Sequence, residues 1–275
     1  MLHCKSLATC VFALLLVVNI RPLFSNEPAV SGNAKPWPEL SSDSSKVLVQ
    51  GKAIFLTLKP KALQAKKAAI PRLSAPIRSI RWVNDPETAI KFWPEQEEWL
   101  FSWKEQPKGD ATVEVVFDRN PVLPADCPKA EPAGDGSIML HAYQATTYGE
   151  KLRFEPQWYK NTVGYWTVAT DYATWKLHVN EPGTYSVAVL QGCGKGQGGS
   201  DAVISLWREN KVHTELDFQT VDTGHFQNFR WNHLGLIDID QDGSFELRIN
   251  AKRIAHNALF DVRAIHLVKQ ADASK

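Results

Sequence analysis

The side chains best able to do chemistry in this chain are flat rings set among amides. Trp158, Tyr159, Tyr165 and Trp166 fall in one short stretch beside Gln157, Lys160 and Asn161, and His225, Phe226 and Phe229 follow in the segment DTGHFQNF. An amphipathic ring covers the apolar C–H face of a sugar, while neighbouring amides, hydroxyls and ammonium groups bond its hydroxyls. The same rings serve equally well to close the ends of a β-sandwich, and the sequence leaves both uses open. Tyr165 and Phe226 stand out because both sit in segments without strand alternation.

Other motifs lack the context their chemistry needs. Gly194-x-Gly196-x-x-Gly199 has the spacing of a dinucleotide fingerprint, but the DAVISLW that follows alternates as a strand where a pyrophosphate site requires a helix N-terminus. Asp238-x-Asp240-x-Asp242-Gly243 opens like a calcium loop, yet Ile249 stands at the twelfth position in place of the required Glu. A mobile inter-strand loop and a solvated hairpin turn are the simpler readings. No G-x-S-x-G occurs, and the eight histidines are scattered singly. Carboxylate pairs for glycoside hydrolysis are recognised only from geometry. No catalytic residue is assigned.

The 275 residues, 44% of them hydrophobic, suffice for one large domain or two modest ones. Lys+Arg 31 against Asp+Glu 30 leaves a formal charge of +1, without the positive excess that draws a chain onto nucleic acid or an acidic membrane. Residues 1–25 place Lys5 ahead of the apolar run VFALLLVVNI and small residues, the pattern of a signal peptide cut after Ser25 or Ser31. That run is about half of the roughly 20 residues that span a bilayer. A secreted, periplasmic or cell-surface location is expected, with no membrane span after cleavage. Removal of the leader leaves Cys127 and Cys193, which either pair or remain independent thiols. No CxxC is present, so a structural zinc site is excluded.

The elements that must carry the rings are short strands. Residues 26–45 are rich in Ser and Pro and read as an exposed linker. Residues 46–119 hold β-branched and aromatic runs such as AIFLTL, EWLFSW and TVEVVF, with helical turns only over 61–69, stopped by Pro71. Residues 120–137, with four prolines and two glycines, read as a hinge, and residues 138–270 return to short strands. The fold class predicted is all-β: two β-sandwich, jelly-roll-like domains in series.

The stretch VGYWTVATDYATWKLHVNEPGTYSVAVLQGCGKGQGGS, with VDTGHFQNF and ALFDVRAIHL after it, resembles the jelly-roll carbohydrate-binding modules of families 6 and 35, in the divergent form appended to secreted sulfatases and fucosidases. That resemblance implies a sugar held between two rings at the loop end of the second sandwich, here Tyr165 and Phe226, with His225 beside the second ring and Asn257 supplying an amide; Trp158, Tyr159 and Trp166 border it. Such modules carry a structural calcium, but His141 stands near the early acidic position in IMLHAYQA, and Asp261 alone does not make a calcium site. No cofactor and no metal ligand is therefore expected. Residues 47–118, with the IRSI strand, resemble the small β-sandwich that follows the barrel of family 29 α-L-fucosidases. A (β/α)₈ barrel takes roughly 250 residues, and no βαβ alternation is visible.

The function expected is a secreted, non-catalytic carbohydrate-binding protein whose partner is a polysaccharide or glycan, fucosylated or sulfated ones included. Two alternatives stand beside it: a structural or adaptor protein of the cell surface, and a fucosidase-related enzyme or accessory fragment lacking its barrel.

Overall fold

The computed structural model describes residues 32–271; the expected leader lies outside the described residues. The regular secondary structure of the described residues is nearly all β. The first half contains β1 (Lys35–Pro36), β2 (Ser45–Gln50), β3 (Ala53–Leu58), β4 (Lys67–Pro71), β5 (Ile77–Trp82), β6 (Ile90–Pro94), β7 (Glu98–Trp103) and β8 (Thr112–Phe117). Strands β1-β2-β3-β8-β5 form one antiparallel sheet and β4-β7-β6 a second. Alternation positions the core: in β7, EWLFSW sends Trp99, Phe101 and Trp103 inward. Trp103 meets Trp82 edge to face at 5.2 Å, and Trp99 stacks on Phe117.

The second half contains β9 (Ile138–His141), β10 (Thr146–Tyr148), β11 (Arg153–Glu155), β12 (Thr162–Gly164), β13 (Tyr172–Val179), β14 (Gly183–Cys193), β15 (Asp201–Arg208), β16 (Lys211–Gln219), β17 (His225–Ile239), β18 (Gly243–Arg253) and β19 (Asp261–Lys269). One sheet runs β10-β13-β18-β15-β16 and the other β11-β12-β19-β14-β17, with β9 also paired to β19. Trp166, Trp175, Tyr185 and Phe260 are among the largest side chains buried between them.

Several expectations change. The helix is α1 (Pro60–Ala65), opened by Pro60 and closed before Pro71 is reached, because Lys66 takes a left-handed φ of 52° and donates its N–H to Ala62 and Leu63; the chain then runs on as β4. The expected linker is partly structured, since β1 pairs with β2 and Leu40 is buried in the core. DTGHFQNF is not a loop throughout: His225 begins β17, opposite Cys193. Cys127 and Cys193 are both free thiols.

The Pro-rich segment is held down. Ala130 donates its N–H to Lys176 O and accepts from His178 N, and Ser74 N donates to Val122 O. Across the seam between the sandwiches, Ile77 N donates to Pro156 O at 2.7 Å and Trp158 N donates to Ile77 O at 2.9 Å. Arg72, buried in the first half, donates to Ala145 O in the second at 2.6 Å. Burial lowers the Arg72 pKa to about 10, against an opposing pull from Glu97. One contiguous hydrophobic core spans both halves. No described helix is long and apolar enough to cross a membrane.

A shared core predicts one cooperative unfolding event. Tryptophan fluorescence, which reports both halves, and far-UV circular dichroism should give coincident melting curves; two separated transitions would show that the seam does not couple them.

Candidate functional site

The cleft with the polar groups best suited to a ligand lies at one end of the second sandwich. It has a volume of about 510 Å³ and is lined by Thr167, Gly194, Lys195, Gln197, Gly224, His225, Phe226, Asn257 and Ala258. Four segments build it: the stretch after β12 that brings Thr167, the glycine-rich loop after β14, the start of β17, and the turn that precedes β19.

The glycines are there because β17 crosses the loop at close range. A Cβ on Gly192 would lie 1.9 Å from the Phe226 carbonyl oxygen, and one on Gly194 would lie 2.6 Å from the Phe226 ring. The ring thus rests on bare backbone. Gly196, at φ 73° with nothing near its Cβ position, serves the turn itself. Asp222 pins the loop, accepting from the N–H groups of Gly196 and Gly224. Those two bonds hold its carboxyl below the usual range. Thr223 ties in as well, its hydroxyl accepting from Cys193 N at 2.8 Å. Under this crossing the Cys193 thiol is fully buried, and its pKa is pushed up to about 11, first by burial and then by Asp222 and Asp261.

The polar groups are oriented too. His225 Nδ1 accepts from Gln227 N at 3.0 Å, which leaves Nε2 as the protonated nitrogen of the neutral ring. Gln197 Oε1 accepts from Asn257 N at 2.9 Å, so the Gln197 amide nitrogen keeps both of its donors for a ligand. The Asn257 side chain is exposed at the cleft. The arrangement offers one half-buried ring, one imidazole donor, two amides, the Lys195 ammonium and the Thr167 hydroxyl.

Of the residues singled out from sequence, His225, Phe226 and Asn257 come together in this cleft. Tyr165 does not line it. Its backbone is left-handed at φ 61°, and its ring packs at the seam, with the Arg153 guanidinium 3.6 Å above it and Trp93 of β6 edge-on at 5.6 Å. The expectation of two rings facing each other across a sugar is therefore corrected to one. Trp166 is also corrected: its ring is 0% exposed, stacks on Phe260 and donates its indole N–H to Asp171 O. Trp158 and Tyr159 are exposed but sit edge to face on the seam loop. Lys195 and Gln197 were not foreseen, although the glycine-rich run around them marks a backbone shaped for close approach.

A carboxylate pair lies elsewhere, below Tyr165. Glu155 and Asp261 are both buried, and a Cβ on Gly164 would fall 2.7 Å from one and 2.9 Å from the other. Lys160 pairs with Glu155. Burial would lower the Lys160 pKa, but the bond to Glu155 and its charge outweigh that and raise it. Asp261 is raised well above the carboxylate range by burial and then by Glu155. The Lys160 ammonium bonds Glu155 alone, and burial closes both carboxylates to a glycoside.

No family model matches the chain, and no curated protein matches it. Solved structures do. The chain is similar to an α-L-fucosidase from Vibrio sp. strain EJY3 at 10% identity and TM-score 0.34, over 82% of this chain and 39% of that one. It is similar to a family 35 carbohydrate binding module from Clostridium thermocellum at 18% identity and TM-score 0.38, over 49% of this chain and 98% of the module. The C-terminal CBM6 of a marine laminarinase from Zobellia galactanivorans aligns at 15% identity and TM-score 0.38, over 48% and 99%. The chain thus spans well under half the length of the fucosidase.

Two outcomes follow. Gly192→Ala, which drives a methyl into backbone, should destabilise the fold by several times the ~1 kcal/mol expected for Gly196→Ala at an open left-handed position, read from urea denaturation midpoints. Because the folded Asp261 holds its proton more tightly than an ordinary aspartate, the wild type should lose stability as pH rises from about 4 through the raised folded value. Asp261→Asn should remove that fall and melt higher than wild type at neutral pH; a parallel pH profile in both proteins would contradict this.

Proposed function

We propose that the protein is a non-catalytic glycan-binding protein and that the cleft around Phe226 takes the sugar. The observation that carries this reading is the packing of the Phe226 ring against the bare backbone of Gly194, in a cleft that the oriented His225 imidazole and Asn257 also line. A rigid ring edged by donors and acceptors is what a sugar ring requires, with its apolar face and its fringe of hydroxyls. Lys195 at the rim favours a glycan bearing sulfate or carboxylate groups, and a fucosylated, sulfated polysaccharide is the partner to try first. The expected setting is outside the cytoplasm. One ring and a few bonds made in competition with water leave little surplus over the cost of association, so a single sugar should bind weakly, with Kd of about a millimolar.

Calorimetric titration of the chain with a sulfated fucan and with its desulfated form tests this. Phe226→Ala and Asn257→Ala should each weaken binding about tenfold, a loss of about 1.4 kcal/mol, and desulfation should weaken it further. Tyr165→Ala, away from the cleft, should change affinity less than twofold while lowering the melting temperature. Binding that survives Phe226→Ala and Asn257→Ala together, or is absent for both fucans and for a panel of neutral polysaccharides, would overturn the reading.

A further inference from the structure

A second surface, on the first sandwich, has a different chemistry. Across β4, β7 and β6 the register sets Lys67, Ser102 and Lys91 opposite one another, and two residues along it sets Ala69, Leu100 and Trp93 in the next row. Residues opposite one another in an antiparallel sheet share a face, as do residues two apart. One face of this sheet therefore carries an apolar row beside a row with a lysine at each end. Helix α1 lies alongside β4 and adds Lys61, Ala62 and Ala65 as a wall, leaving a groove of about 770 Å³. That lies within the roughly 300–1,000 Å³ of small-molecule sites.

The groove is also charged in one sense. Lys61, Lys67 and Lys91 line it, with Glu98 as the one carboxylate, and none of the three ammonium groups has a hydrogen-bond or ion-pair partner among the described residues. Trp93 is 45% exposed and is held by its indole N–H, which donates to Glu95 at 2.8 Å. Three lysines against one carboxylate favour an anion over a neutral ligand, and the apolar row beside them favours one with an unbranched apolar chain.

We propose that this groove binds an anionic amphiphile, a long-chain carboxylate, with its chain on Ala69, Leu100 and Trp93 and its head between Lys67 and Lys91. Burial of the chain supplies affinity, and the lysine row sets orientation and selects the charge.

Titrating the full chain with dodecanoate below its aggregation concentration, followed by tryptophan fluorescence and calorimetry, tests the proposal. Saturable one-to-one binding is expected, weakened about fivefold in Lys67→Ala/Lys91→Ala and by added salt, as for exposed charge pairs. Leu100→Asp, which puts a like charge on the floor, should abolish it; Ala69→Trp, which fills the groove without adding charge, should do the same if the first variant fails to fold. Absence of saturation, undiminished binding in Ala69→Trp, or dodecanol binding as tightly as dodecanoate would overturn the proposal. So would a lysine-dependent preference for dextran sulfate over dodecanoate, which would make the surface a polyanion site.

Discussion

The second sandwich is organised around one close approach, that of β17 across the loop that ends β14. At Gly192 the two backbones come nearer than any side chain allows, and this contact decides what lies above and below it. Above, the Phe226 ring packs against the bare backbone of Gly194, and the same strand start presents His225. Below, Cys193 is sealed beside the Leu259 carbonyl. The glycines are thus a steric requirement at two positions and a conformational one at a third, and the anchoring is done by neighbours that are not glycine, Asp222 and Thr223.

Much of the fold was legible because the signals were local. Alternation in EWLFSW and TYSVAVLQ, punctuated by turn residues, predicts strands without reference to anything distant. Where the prediction failed, a longer-range term prevailed. The α1 helix stopped early because Lys66 adopted a left-handed cap, for which Lys carries no sequence signal, and because β4 gained a full ladder on β7. DTGHFQNF lacks alternation, yet its second part becomes strand because β14 continues far enough to pair with it.

The site was half legible for a related reason. Ring identity can be read from sequence, but ring accessibility depends on what else packs there. Trp166 and Tyr165 are adjacent and aromatic, and neither is free: Phe260 covers the first, and Arg153 with Trp93, far away in the chain, covers the second. Phe226 was legible as a ring in an irregular segment, whereas Gln197 and Lys195 became visible only once the loop closed against Asn257. The seam that claims Tyr165 also turns a Pro-rich segment with the composition of a hinge into a strap, because Ala130 supplies both halves of a ladder contact to β13.

The buried thiol beneath the cleft has a use independent of what the cleft binds. Cys193 carries no disulfide and has no exposed surface, so an alkylating reagent reaches it only when the β14–β17 crossing opens. Its labelling rate is therefore a clock on local opening at that end of the sandwich. Half-buried Cys127, in the strap, reports on the seam by the same chemistry. Among the described residues these two thiols make a pair of kinetic probes, able to tell whether the cleft end and the seam breathe together or separately.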